Sequence, residues 1–390
     1  MKVHRTLLIR RPLMIFNEEE RNALIKVLTR ADALGNLWAR GYKVHPPDIS
    51  PKFAHEFNYF KDEISFSNGV KPPKAWYTNV HAMLSVGVRL SNERDNGEGV
   101  FIDLTRSELR LRWIIKGRAI TIKLTESEVK YIRDRLNEGG RPKLARVWVG
   151  GGYLYVAVTF EREVQPIQPS EYILVIDVNS WRNGIAWGLV RGGGLVKVGR
   201  ERPDLGRIER LYNEVVVLER RYGNLKRLDL HRTVEGKELW REVKRLRRRL
   251  YAYLRDYAQK LAHRLARKAL RHRALVIIDD MIEESRRELL EEGLNNGLTK
   301  LYLTNLKRFV KLLTNQLEWY GIPYEFKRLP STICPVCGHE LRQLPNRVMI
   351  CDYCGFRENR DYVPIKWVIK LTTEKTAALT AKARGGDVNE

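Results

Sequence analysis

The stretch Glu171 to Val178, EYILVIDV, constrains this chain more than any other. Tyr172 to Ile176 is apolar almost throughout, the pattern of a strand covered on both faces. Asp177 stands inside that run. Asn179, Arg182, Asn183 and Gly184 then separate it from a second apolar stretch, Ile185 to Val190, so the segment reads as strand, turn, strand. A carboxylate in a buried strand is costly unless turn amides or a positive charge compensate it. A further apolar strand, Ala274 to Ile278, ends in Asp279 and Asp280, and Asp361 opens a helix-like stretch behind a cysteine cluster. Two strand-borne acids and one at a helix start suit a two-metal phosphodiester hydrolase. Mg2+ takes hard oxygen ligands, usually one or two protein carboxylates beside the substrate phosphate. Two such ions about 4 Å apart activate water on one side and stabilise the leaving oxygen on the other.

The charge balance says what such a site would act on. Lys and Arg number 71 against 47 Asp and Glu, a formal +24 over 390 residues. That excess attracts polyanions, and nucleic acid is the expected partner. The length allows two or three domains with sizeable cores. No apolar run approaches the roughly eighteen residues of a membrane helix, so no membrane partner is expected. Arg10 and Arg11 split the N-terminal apolar stretch, which does not read as a signal peptide.

All four cysteines fall between Cys334 and Cys354, which argues for a metal site in a reducing, cytoplasmic setting rather than a disulfide framework. Cys334-Pro-Val-Cys337-Gly338 and Cys351-Asp-Tyr-Cys354-Gly355 are two knuckles, each able to present two thiolates to one tetrahedral ion. The glycine after each second cysteine relieves crowding where amides point at sulfur. A closed four-cysteine set suits structural Zn2+ and leaves no open position for catalysis.

Taken in order, residues 2–10 read as a strand. Asn17 with Glu20 resembles a capping box for a helix running to about Tyr42. Further helices are expected over 52–66 and 74–92. The aromatics Trp38, Phe53, Phe57, Tyr59, Phe60, Trp76 and Tyr77 could stack on bases but fit a core better. From Gly99 the period becomes two, with strands at 100–102, 111–115, 119–124, 145–149 and 153–160 and a helix at 126–137. This predicts a small antiparallel barrel, completed by the first strand. Pro166 and Pro169 make a linker. After the Asp177 hairpin come two long helices, the first ending at Gly223. The second carries Arg241, Lys244, Arg245, Arg247, Arg248, Arg249 and Arg255, with Lys260, Arg264, Arg267 and Lys268 beyond, and few acids to balance them. That is the composition of a phosphate-tracking face. An acidic segment at 283–292, a helix at 299–320, strands within 323–328 and 347–350 and a last helix from about Ile365 complete the chain.

These residues resemble the TnpB-type proteins, insertion-sequence relatives of the compact type V CRISPR effectors. The resemblance is carried by Asp177 after an apolar strand, a second acid after LVII, the CPxCG…CxxCG ribbon, and Arg360-Asp361 behind it. It implies an α/β multidomain protein. Residues 1–16 would be the first strand of a wedge β-barrel, 17–96 a helical recognition lobe and 97–166 the rest of the barrel. An RNase H-like (RuvC) nuclease domain would span 171–330, interrupted by a basic helical hairpin at 205–271. Residues 331–357 would be an inserted zinc ribbon, and 358–384 the last nuclease motif and helix. It further implies an RNA-guided DNA endonuclease of a mobile element, associated with transposition. Its partners would be a guide RNA from the element's own end and a double-stranded DNA target. Asp177, Asp279 and Asp361 would hold catalytic Mg2+ or Mn2+, and Cys334, Cys337, Cys351 and Cys354 would hold Zn2+. The chain departs from the family pattern at Asn179 (usually glycine), at Asp279 (usually glutamate) and at Tyr362 to Ile365 (usually x-Asn-Ala-Ala). Aspartate reaches about 1.5 Å less far than glutamate, which leaves Asp280 as an alternative ligand. It also leaves open a nuclease-impaired RNA-guided binder. A zinc-ribbon nucleic-acid-binding protein without catalysis is the third reading.

Overall fold

The computed structural model describes residues 2–39, 44, 49–59, 81–90, 97–280 and 297–384, and the chain divides into two compact units, Met1–Val164 and Gln165–Glu390. The first unit comprises β1 (Lys2–Pro12), α1 (Glu18–Ala39), α2 (Pro51–Tyr59), β2 (Ala82–Leu84), β3 (Val86–Arg89), β4 (Val100–Asp103), β5 (Glu108–Ile115), β6 (Arg118–Lys123), α3 (Glu126–Asn137), β7 (Arg141–Gly150) and β8 (Tyr153–Glu163). Reciprocal caps start two of its helices: Asn17 with Glu20 at α1, and Thr125 with Glu128 at α3. The strands form two four-stranded sheets, β1-β8-β7-β2 and β3-β4-β5-β6. β1 lies antiparallel to β8 along its whole length, Lys2 opposite Glu163 and Pro12 opposite Tyr153.

Two expectations need correction here. Residues 82–84 and 86–89 are strands, not part of a helix over 74–92, because pairing with β7 and β4 buries them and overrides local preference. β3 runs parallel to β4, so the pairing is not antiparallel throughout. A side-chain period of two is common to both directions and cannot tell them apart. Phe53 is fully buried and belongs to the core. The side chains of the other early aromatics, and the remainder of the helices expected up to residues 42 and 66, lie outside the described residues.

The second unit is built on the sheet β11-β10-β9-β12-β13. It runs through β9 (Tyr172–Ser180), β10 (Gly184–Arg191), β11 (Gly194–Glu201), α4 (Leu205–Arg227), α5 (Val234–His272), β12 (Leu275–Asp280), α6 (Gly297–Tyr320) and β13 (Tyr324–Phe326). A three-stranded ribbon, β14 (Arg342–Leu344), β15 (Val348–Ile350) and β16 (Arg357–Asn359), and then α7 (Val363–Arg384) follow. β9 pairs antiparallel with β10, and β10 with β11, whereas β12 is parallel to β9 and β13 to β12. Two long helices lie between β9 and β12 in sequence, which gives the parallel pair its crossover.

The apolar run of β9 is covered on both faces, as its composition requires. Leu174, Ile176 and Val178 pack with α4, α5 and α6. Val175, Val190 and Ile277 pack with Ile365 and Val368 of α7. α7 approaches closely because position 188 is glycine: a Cβ there would lie 2.5 Å from Ile365 Cγ2. α4 continues past Gly223 to Arg227. The ring of Tyr222 stacks on Trp240 of α5 at 4.7 Å, and such packing outweighs the roughly 1 kcal/mol cost of a helical glycine. β11 had no sequence signal, since Gly192 to Gly194 open it and it is an exposed edge strand without a continuous apolar run. The acidic segment at 283–292 lies outside the described residues.

Candidate metal centres and nucleic-acid interface

Strand register puts the first two acids together. β9 and β12 are parallel neighbours in which Asp177 stands opposite Asp279, while Asp280 stands opposite Val178. Alternation places Asp177 on the face of Val175, and Asp279 on that of Ile277, which is the face α7 covers. Asp361 reaches the same place from the short turn Arg360–Tyr362 that leads into α7, its amide donating to the Asn359 side chain at 3.1 Å. All three carboxylates are buried, with at most 2% of their surface exposed.

Their surroundings differ in kind. Asp361 Oδ1 accepts from Arg347 Nη2 at 2.8 Å and Nε at 3.2 Å, and its Oδ2 lies 2.8 Å from Arg200 Nη2. Asp279 Oδ1 accepts from the Leu329 amide at 3.4 Å. Burial drives the Asp177 carboxyl well above the usual carboxylate range, and the charges of Asp279 and Asp361 push it further; Arg347 and Arg360 pull it down only in part. The contrast is Asp103 in the first unit, which is equally buried. Burial raises its pKa too, but Arg89, Thr105 and the Arg106 amide all bond to the carboxylate and hold it below the usual range. Asp103 is a satisfied structural charge. Asp177 is held beside two like charges, which folding alone does not require. The three carboxylates are hard-oxygen donors of the type Mg2+ or Mn2+ takes, though among the described residues only the four cysteines already stand close enough to share one ion.

Arg200 and Arg347 are the neighbours that the sequence did not single out. Nothing distinguishes two guanidiniums among 71 cationic side chains until the strands that carry them are placed.

The four cysteines converge. Their sulfurs all lie within 4.8 Å of one another, Cys334 and Cys354 at 3.5 Å and Cys337 and Cys351 at 3.4 Å, and none is disulfide-bonded. A tetrahedral zinc with Zn–S bonds of about 2.3 Å spaces its sulfurs by about 3.8 Å, so the residues fit that ion. Gly338 and Gly355 both adopt left-handed backbone, φ 81° and 74°, and close the knuckles by donating to the Cys334 and Cys351 carbonyls. The amide of Cys354 points at the Cys351 sulfur and draws that thiol down to about 6, while the neighbouring sulfurs push Cys354 up to about 12, as expected where four thiols crowd together. The ribbon docks on α7 through Met349, Leu341 and Val363, and through a bond from Trp367 Nε1 to the Ile333 carbonyl at 3.0 Å.

The basic residues of α5 are separate from both centres. Arg241, Lys244, Arg245, Arg247, Arg248, Arg249 and Arg255 are all exposed, while Val243, Leu246, Leu250 and Leu254 turn inward. Arg245 pairs with Glu242 and Arg247 with Glu219 of α4, each at 2.5 Å, and Lys244 lies over the Trp240 ring. Among the described residues no carboxylate pairs with Arg241, Arg248, Arg249 or Arg255. No helix among the described residues is long and apolar enough to cross a membrane.

Known proteins resemble parts of this chain. A family model described as the Cas12f1-like TNB domain matches residues 307–364, from within α6 through the ribbon to just past Asp361. A curated TnpB-like protein of Methanocaldococcus jannaschii is 23% identical over 251 residues, which cover 63% of this chain and 84% of that protein. Among solved structures, CasPhi-2 (Cas12j) bound to crRNA overlays 80% of this chain on 74% of its own at 13% identity, with a TM-score of 0.29, too loose an overlay to bear on function. With the ribbon segment matched and the curated relative spanned over most of its length, the chain is similar to TnpB-like proteins and, over residues 307–364, to the Cas12f1-like TNB domain.

Proposed function

We propose that the protein is an RNA-guided DNA endonuclease of a mobile element, with Asp177, Asp279 and Asp361 as its metal-binding acids. The observation that carries this reading is their convergence, from two strands and a distant turn, on one buried face. The strand order β11-β10-β9-β12-β13, three antiparallel followed by two parallel, supports an RNase H-like (RuvC) domain. When bound, a pair of divalent ions supplies an activated water and a stabilised leaving oxygen. The chain's own part is to hold three carboxylates rigidly: β9 and β12 fix two by register, and α7, seated on Gly188, fixes the third. Register favours Asp279 over Asp280 as the second ligand, since Asp279 is the residue opposite Asp177. The ribbon cysteines hold Zn2+, and the α5 face tracks the backbone of a guide RNA or its heteroduplex.

The test is to sequence the RNA that co-purifies with the protein and to offer that complex a matching DNA duplex in Mg2+ or Mn2+. A discrete RNA and guided cleavage are expected. Random host RNA without cleavage overturns the reading in favour of a plain zinc-ribbon binder. A discrete RNA without cleavage favours the nuclease-impaired reading, to which the pairing of Asp361 with two arginines lends weight. The α5 interface has its own measurement. Changing Arg241, Arg248 and Arg249 together to Gln lowers RNA affinity and flattens its logarithmic salt slope by about 2–3. An unchanged slope means that face is merely solvated.

A further inference from the structure

Arg347 hydrogen-bonds Oδ1 of Asp361 and Arg200 stands at ion-pair distance from Oδ2, at a position where the nuclease reading requires a divalent ion. We infer that Arg347 is a surrogate cation, holding Asp361 until a divalent ion displaces it, so that the ribbon turn gates metal entry to the acid cluster. The inference rests on the proposed function and adds a regulatory step to it.

The charges set an incoming ion in competition with the arginines. Three carboxylates face three guanidiniums: Arg200 and Arg347 on Asp361, with Arg347 and Arg360 also acting on Asp177. One or two divalent ions added to that set would leave a buried excess of positive charge, which is costly. The forked contact of Arg347 holds Oδ1, the hydrogen-bonded oxygen of Asp361, which must be released before an ion can take it.

Of the two arginines, Arg347 is the one free to leave. Arg200 sits in β11, also donates to Asn359 Oδ1 at 2.6 Å, and lies over the Tyr362 ring. Among the described residues, Arg347 hydrogen-bonds to Asp361 alone. It belongs to the three-residue turn between β14 and β15, where Asn346 and Arg347 are both left-handed, φ 60° and 59°. That conformation suits asparagine and is uncommon for arginine. The tight β14–β15 connection, with Leu344 paired to Val348, demands that backbone, so the guanidinium is carried on a short exposed hairpin turn rather than in a sheet. Because the same ribbon carries the zinc ligands, the gate is hinged on a separately anchored element.

The experiment measures Mn2+ binding to full-length, zinc-loaded protein by electron paramagnetic resonance, taking as signal the binding that Asp177→Asn removes. Arg347→Gln is expected to bind Mn2+ about tenfold or more tightly than wild type, since a competing cation is gone from the site. The metal-free form of the same variant should melt earlier, having lost a partner of a buried carboxylate. Arg200→Gln should change Mn2+ affinity less than Arg347→Gln. Equal or weaker Mn2+ binding by Arg347→Gln overturns the gate while leaving the metal centre standing. If Arg347→Gln does not fold, Arg347→Lys reads the same quantity, because its ammonium cannot make the forked contact: tighter binding supports the gate and unchanged binding overturns it. Absence of any Asp177-dependent Mn2+ binding in both wild type and variant overturns the metal centre itself, and the gate with it.

Discussion

Asp177→Asn is expected to abolish DNA cleavage and, in metal-free buffer, to raise the melting temperature by at least about 2 °C. Both effects follow from one fact: the carboxylate is buried beside two others. The sign comes from proton linkage. The folded-state pKa of Asp177 lies well above that of the unfolded chain, about 3.9, so between those two values the native state binds more protons. Its stability therefore falls as pH rises through that window, and the deficit persists at higher pH. Asparagine carries no such penalty. Below the ordinary carboxylate range the two proteins should melt more alike, and the gap should open as pH increases. Added Mg2+ or Mn2+ should reverse the order, because an ion that binds only the native acid cluster stabilises wild type and not the variant. RNA binding should be unaffected. A variant that melts lower than wild type at all pH values, without metal, would show that Asp177 is a structural charge like Asp103.

Removing the zinc is expected to unfold the ribbon and silence the acid cluster together. Metal analysis should find about one zinc per chain, and Cys351→Ser should lose most of it. The ribbon's own apolar core is small, chiefly Leu341, Met349 and Val363 around the sulfurs. Ion binding in comparable small sites is worth about 10–16 kcal/mol, far more than such a core supplies. Loss of the ribbon would unmoor β16 and the turn behind it that carries Asp361, and break the Trp367 bond to the Ile333 carbonyl. Amide exchange should then accelerate across residues 331–357 and the start of α7, while β9 and β10 stay protected by α4, α5 and α6. Full protection of the ribbon in zinc-free protein, or cysteines cross-linked as disulfides, would exclude a structural zinc.

Much of this was legible in the residues themselves. The apolar run around Asp177 dictated a strand covered on both faces, because nothing else buries that many adjacent apolar side chains in so short a segment. Each CxxC knuckle put two thiols within reach of one ion by local spacing, though only the ribbon's pairing brought the two knuckles together. The inward leucines and outward arginines of α5 were set by a period of 3.6. All of these are short-range patterns, written within a turn or two of chain. What the tertiary structure decided was every relation between distant segments. Sequence could name Asp279 or Asp280 as an acid, but only strand register sets Asp279 opposite Asp177. The parallel β3–β4 pair and the edge strand β11 were hidden for the same reason, since alternation records which face a residue takes and not which neighbour it meets. Arg200 and Arg347 were indistinguishable among so many cations until an edge strand and a hairpin turn delivered them to Asp361. Periodicity is set by the geometry of one element; electrostatics acts through space, and only folding determines which charges come within reach of one another.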